Sequence, residues 1–317
     1  MIKTAEFVSP KHPDKICDFI ADSILDAYLV EDIESRVAIE VMGGHNLITI
    51  NGEVTSSGVL DIEKIVRSIV GPEYKVISNI VAQSPEIAKG VDLGGAGDQG
   101  IMKGYATSET PEHLPLEYVL ARNLCQKLYE VYPYDGKTQV TVENGEVKTV
   151  VASFQNTNSE ELLKLVQKII PAKEYLINPA GEWHQGGFDA DTGLSGRKLV
   201  IDNYGPEVPI GGGSFSGKDY TKVDRSGAYM ARRIAVELLD ARGAKEVFVK
   251  LAYAIGKSLP VMAVAVVDGV EEEITGLPAQ AGYDLSPRGI REYLKLKEVK
   301  YAETCTWGHF GREFPWG

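Results

Sequence analysis

The chain has 317 residues, 44% hydrophobic and 25% charged, enough to bury a large core in two or three units. Its net charge of −12 argues against general affinity for nucleic acid or an anionic membrane, so an anionic ligand needs a local basic cluster helped by divalent metal. Three well-separated cysteines (Cys17, Cys125, Cys305), no apolar run of about 18 residues and no signal-peptide pattern at Met1 to Glu6 read as a cytoplasmic protein in a reducing compartment.

In chain order, apolar residues at three- and four-residue spacing from Asp14 to Tyr28 predict a helix. Arg36 to Val41 and Leu47 to Ile50 predict a hairpin turning at Gly43-Gly44. Ile62 to Ile69 predict a helix stopped by Gly71-Pro72, and Tyr74 to Ile80 a strand. The order then returns. Leu116 to Leu128 form a helix, Gln139 to Val142 and Val147 to Phe154 a hairpin about Asn144-Gly145, Leu162 to Ile170 a helix, and Tyr175 to Ile177 a strand. A third pass has a helix from Asp224 to Leu239, strands Val247 to Tyr253 and Val261 to Val267, a helix Ile290 to Leu296, and a strand Val299 to Thr304. Helix, hairpin, helix, strand, three times over, implies an α+β fold of three similar two-layer domains. We place them at 1–90, 91–188 and 189–317, with approximate boundaries, and expect them to be intertwined. Each sheet is covered by helices on one face, so the other face needs a partner within the chain or in a second subunit.

Chemistry is expected in the polar segments between the repeats. Gly211 to Lys218, with Lys222, Asp224 and Arg225 beyond it, brings glycines and cations together as a polyphosphate cradle does. Gly212 to Lys218 fits G-x-x-x-x-G-K, but Asp219 stands where Ser or Thr holds magnesium, and Asn203 to Pro209 separates the loop from any preceding strand. A solvated Gly-rich turn is the bland alternative. His12-Pro13-Asp14-Lys15 opens a helix, and on its own it reads as a capping sequence with a surface His. Asp189, Asp191, Arg197 and Lys198 flank Gly193 to Gly196, acid on one side and base on the other, as suits magnesium bridged to phosphate or, more plainly, surface ion pairs.

His12 to Lys15, Gly95-Ala-Gly-Asp-Gln-Gly100, Gly211 to Asp219, Lys222 to Ser226 and Gly308-His-Phe-Gly-Arg-Glu313 together resemble the S-adenosylmethionine synthetase (methionine adenosyltransferase) family, in order and across essentially the whole chain. The resemblance implies three intertwined, similar domains. It implies attack of the methionine sulfur on C5′ of ATP, giving S-adenosylmethionine and tripolyphosphate, which is then hydrolysed to phosphate and pyrophosphate. By the same likeness His12 lies at the bridging oxygen, and Lys137, Arg197, Lys198, Lys218 and Lys222 surround the triphosphate as catalytic cations, with Glu6 nearby. ATP is also met by Asp135, Glu182, Trp183 (stacked on adenine), Asp191 and Ser214; methionine by Glu53, Gln83, Asp191 and Lys222. Asp14 and Asp224 match magnesium ligands, two ions per site, and Glu40 a potassium ligand. The family's sites lie between two subunits, in a homodimer or a dimer of dimers.

The chain departs from the family pattern in places. Pro10-Lys11 replaces a Glu-Gly pair, Glu182 a basic residue, and Ser214 a small apolar one. The active-site gate, Ser84 to Gly94, is shortened, and the sequence stops at Gly317 without the usual C-terminal extension. The competing readings are another phosphotransferase, which makes ADP, and a nucleotide-binding paralogue without catalysis.

Overall fold

The computed structural model describes residues 1–83, 94–274 and 282–317. Among them are twelve strands, eight α-helices and one short 3₁₀ turn at Gly187–Asp189.

The first unit runs β1 (Ile2–Val8), α1 (Pro13–Glu31), β2 (Arg36–Gly44), β3 (Leu47–Thr55), α2 (Ile62–Val70) and β4 (Lys75–Val81). The second is β5 (Gly100–Thr107), α3 (Leu116–Val131), β6 (Gly136–Glu143), β7 (Glu146–Phe154), α4 (Ser159–Ile169) and β8 (Glu174–Ile177). The third is β9 (Gly193–Leu194), α5 (Leu199–Asn203), α6 (Val223–Arg242), β10 (Glu246–Tyr253), β11 (Met262–Val267), β12 (Val270–Glu273), α7 (Pro287–Tyr293) and α8 (Tyr301–Thr304).

The three sheets have the orders β4-β3-β2-β9, β1-β6-β7-β8 and β12-β11-β10-β5. Each unit therefore gives its leading strand away: β1 pairs with β6 of the second, β5 with β10 of the third, and β9 with β2 of the first. The units are intertwined in a closed cycle, and no unit has a complete sheet without its neighbour. One long helix covers the inner face of each sheet: α1 on β2, α3 on β1 and β6, α6 on β5 and β10. Alternation along the strands follows from this. In β2, Val37, Ile39 and Val41 are buried against α1 while Glu40 and Met42 face outward.

The expected elements are present, two of them in a different form, beside further elements that were not expected. The first hairpin turns at His45-Asn46, both at positive φ (49° and 63°), and not at Gly43-Gly44, which stay in the strand. Asn tolerates the left-handed conformation that a two-residue hairpin turn demands. Gly43 is needed elsewhere, since a Cβ there would sit 2.6 Å from Ile48 and 2.7 Å from Phe188. The final segment, read as a strand, is the short helix α8, because the Asp26 carboxylate accepts the N–H groups of Tyr301 and Ala302 at 2.8 and 2.9 Å and caps a helical turn. The strands β1, β5, β9 and β12 and the short helix α5 were not expected; β5 is specified by β10 across the sheet and not by its own pattern.

Candidate active site

Charged side chains gather in two groups joined by the short strand β9. The first is at the start of α1. His12 is the N-cap, its Nδ1 accepting the Asp14 N–H at 3.2 Å, and Pro13 fits the first helical position. That bond leaves a neutral ring with its proton on Nε2. The His12 pKa is pushed down to about 3 by burial, then by Lys198 and Lys137, so the ring is an uncharged donor at neutral pH. Asp14 Oδ1 accepts the Leu194 N–H at 2.9 Å, and Oδ2 holds Lys198 Nζ at 2.5 Å, with Arg197 at 3.8 Å. Burial works against this carboxylate, but the Lys198 and Leu194 hydrogen bonds outweigh it and lower its pKa. Gly193 permits the approach, since a Cβ there would lie 2.2 Å from the Pro13 carbonyl.

The second group is the glycine loop. Lys218 Nζ pairs with Asp224 at 2.6 Å, and Lys222 Nζ with Asp219 at 2.7 Å. Gly213 leaves room for the Asp224 carboxylate, which a Cβ would overlap at 2.2 Å. The loop is sewn to the first sheet: Ile39 N–H donates to the Gly217 carbonyl, and Asp219 accepts the Val37 N–H at 2.7 Å. Asp219 is thus a buried strand partner, and the Walker geometry of strand, loop and helix is not formed here. Between the groups, Ser195 exchanges bonds with Val41 and donates its hydroxyl to Glu40. Glu40 stands on the open face of the sheet with its carboxylate crowded enough that burial raises its pKa, against the pull of Ser195 and Lys218.

The remaining expected residues lie in several places, not in one cluster. Lys137 is exposed on β6 beside Val8 of β1. Asp135 is buried; one oxygen accepts the Gly187 N–H at 2.9 Å and the other has no partner among the described residues. Trp183 donates its Nε1–H to Ser153 at 3.2 Å. Glu182 is turned to the start of α4, where it accepts the Ser159 N–H at 2.8 Å. Asp191 is exposed and accepts only its neighbour's Thr192 N–H among the described residues. Glu6, with Arg197 and Lys198, lines a cavity of about 340 Å³. Among the described residues, Ser214 lies against Gly196 with its hydroxyl buried and unpartnered, and the Gln83 amide oxygen likewise has no partner, while Glu53 is exposed on β3 opposite Ala38. Asp189 lines a different cavity, away from Arg197 and Lys198. Of the gate, all but Gly94 lies outside the described residues.

Sequence reading missed what supports both groups. Asp14, Asp18, Asp22 and Asp26 recur every four residues along α1, one stripe of the helix, and between them they reach three distant stretches of chain. Asp18 accepts the Gly196 N–H at 2.8 Å; Asp22 accepts the Gly217 N–H at 2.8 Å and grips Arg225 at 2.6 and 2.8 Å. Lys15, with its side chain 1% exposed, is paired with Asp202 and lies 3.5 Å from Asp18. The four-residue repeat of Asp was visible in the sequence and was its one available signal.

Among the described residues no three His, Cys, Asp or Glu side chains converge as a preformed metal cage. The donor set nonetheless suits magnesium, which keeps most of its ligands as water and substrate phosphate and takes one or two carboxylates. Asp14 and Asp224, each beside a lysine and within reach of a cationic cluster, are carboxylates of that kind.

Models of the N-terminal, central and C-terminal domains of S-adenosylmethionine synthetase match residues 1–85, 93–183 and 185–317. The S-adenosylmethionine synthase of Thermus thermophilus is 42% identical over 374 residues, covering 99% of this chain and 94% of the relative. That of Fusobacterium nucleatum is 42% identical over 361 residues with the same coverage. Among solved structures, an S-adenosylmethionine synthetase of Campylobacter jejuni, described as unusual, superposes with a TM-score of 0.87 at 33% identity, covering 99% of this chain and 96% of that one. Fold and site thus define a three-domain, metal-using transferase. The chain belongs to the S-adenosylmethionine synthetase family, and synthesis of S-adenosylmethionine, the methionine adenosyltransferase reaction, is its activity.

Proposed function

We propose that the two charged groups are complementary halves of an active site that a second copy of the chain completes, binding ATP and methionine and carrying ATP through to S-adenosylmethionine, phosphate and pyrophosphate. The observation that carries this reading is the pair of carboxylate–lysine contacts, Asp14–Lys198 and Asp224–Lys218, standing at the two ends of one strand-linked array. Asp14 and Asp224 would hold Mg²⁺ and Glu40 K⁺; bound there, such ions supply positive charge to phosphate oxygens. The open faces carrying Glu40, Glu53 and Gln83 would then meet the basic group of the neighbouring copy. The protein would act in the cytoplasm, with domains at 1–90, 91–188 and 189–317.

A thioether is an uncharged, modest nucleophile, so the chain's residues must act on position and on the leaving group. Neutral His12 donates its Nε2–H toward the oxygen that leaves C5′, where negative charge develops. Lys198, Lys218 and Lys222, held by carboxylates, and the more exposed Lys137 and Arg197 offset charge spread along the phosphates. Trp183 offers a ring face to adenine, held by its bond to Ser153. Among the described residues Asp135 and Ser214 each keep an unpaired polar atom for a ligand to satisfy.

The test is to incubate the protein with ATP, methionine, Mg²⁺ and K⁺ and identify the nucleoside product and phosphates by mass. Lys218→Met should lower turnover about 100- to 1,000-fold with an unchanged circular dichroism spectrum. ADP as product, or full activity in Lys218→Met, would overturn the assignment.

A further inference from the structure

The segment Gly308 to Glu313 supplies no residue to the two charged groups, yet its His309 touches the supports of both. His309 is 1% exposed. Its N–H donates to the Asp202 carbonyl at 2.8 Å, and the Asp202 carboxylate holds Lys15, the neighbour of Asp14. Its own carbonyl accepts the Trp316 indole N–H at 2.7 Å, so the residue is pinned from both sides. Its ring meets Phe215 of the glycine loop edge-on at 5.0 Å.

Arg225, a cation of the cradle by sequence, is 0% exposed and lies behind the loop. Its Nη1 donates to the Phe215 and Lys218 carbonyls at 3.0 and 3.1 Å, the two ends of the turn that carries Lys218, while Asp22 grips the same guanidinium. Its Nε donates to the Tyr229 hydroxyl at 3.0 Å, and that oxygen stands 2.9 Å from His309 Nδ1. A guanidinium only donates, so the Tyr229 oxygen accepts from Arg225 and its own proton is left for Nδ1. Burial, then the charges of Arg225 and Lys15, hold the His309 pKa well below the ordinary value, so the ring is neutral and Nδ1 accepts.

We propose that His309 is a positioning residue: through Tyr229 and Arg225 it fixes the turn from which Lys218 reaches the phosphates. The proposal rests on the role given to Lys218 above. His309 is enclosed behind the loop, so it acts by orienting one hydroxyl, which in turn gives Arg225 a fixed acceptor opposite its bonds to the turn. Misplacing a catalytic group by about 1 Å costs roughly 100-fold, and loosening one link of this chain should cost about tenfold.

Steady-state and single-turnover kinetics of S-adenosylmethionine formation by full-length variants test this. Tyr229→Phe removes only the hydroxyl and keeps the ring that stacks on Trp316 at 3.8 Å. It should lower kcat about tenfold with KM for methionine unchanged. His309→Leu should do the same, whereas His309→Asn, whose amide oxygen can stand in for Nδ1, should keep kcat within about threefold of the unsubstituted protein. Combined with Lys218→Met, Tyr229→Phe should cost nothing further, because the lysine it positions is gone; a purely structural lesion would cost the same in both backgrounds. If His309→Leu does not fold, Tyr229→Phe and its combination with Lys218→Met decide the matter. Unchanged kcat in Tyr229→Phe, a loss that adds in full to that of Lys218→Met, or equal losses in His309→Leu and His309→Asn would overturn the proposal. Failure of the Lys218 assignment is a different result, full activity in Lys218→Met alone.

Discussion

Four aspartates hold the functional groups where they are. On α1 a spacing of four advances about 6 Å and turns slightly past one full revolution, so Asp14, Asp18, Asp22 and Asp26 form one slanted row. Their partners are Leu194 and Lys198, Gly196, Gly217 and Arg225, and the start of α8, in the order the third unit presents them. The helix is a template against which the two basic loops are set. A row of buried carboxylates needs cations, and Lys15 and Arg225 supply them inside the protein. Burial works against the Lys15 ammonium, yet Asp202 and Asp18 hold its pKa above the ordinary value, so it stays charged. Lys15→Met should leave Asp18 and Asp202 buried without a countercharge and destabilise the fold by about 3–5 kcal/mol. Denaturant unfolding measures this, and a change below about 1 kcal/mol would show that the pair contributes little.

At the scale of elements, the cyclic exchange of β1, β5 and β9 ties the three units into one cooperative structure. Gly104 shows how closely the layers approach. It sits on β5 where α6 crosses, and a Cβ there would fall 2.0 Å from the Ala231 carbonyl carbon. Gly104→Val should therefore lift α6, the helix that begins with Asp224 and Arg225, from its sheet. We expect a loss of at least about 3 kcal/mol in stability together with weakened nucleotide binding. Calorimetry and titration with an ATP analogue check both; an unshifted melting temperature would contradict the packing. The hairpin about Asn144-Gly145 and the amphipathic helices were legible because their signals are local: turn residues that accept positive φ, and apolar periodicity. The strand β5 and the helix α8 were not. One is defined by a partner some 140 residues away in sequence, from Glu246↔Thr107 pairing, and the other by the Asp26 side chain.

For the molecule as a whole, the open face of the first sheet is the feature that a single copy leaves unexplained. Met42, Thr49 and Ile77 are cross-strand neighbours there, with Leu194 opposite Met42. Met42, Ile77 and Leu194 are 46%, 43% and 38% exposed, a contiguous apolar strip beside Glu40. The proposed pairing of copies through this face predicts that Ile77→Asp shifts the protein to monomer in sedimentation and lowers activity in step. Ile77 is not itself a proposed ligand residue, so activity that follows the dimer fraction on raising protein concentration would tie catalysis to association. Full activity as a monomer would dismiss the shared site.

The sequence by itself determined the repeat, the helices and hairpins, the glycine-rich and cationic motifs, and through them the family. These are properties of short stretches, set by backbone freedom, periodicity and residue chemistry. Only the tertiary structure decided which strand completes which sheet, how the row of aspartates on α1 selects its distant partners, and that Lys198 meets Asp14 while Lys218 meets Asp224. Those choices belong to pairs of segments far apart in the chain, and the free energy that settles them, from burial and from the pairing of buried charge, exists only when both partners are in place.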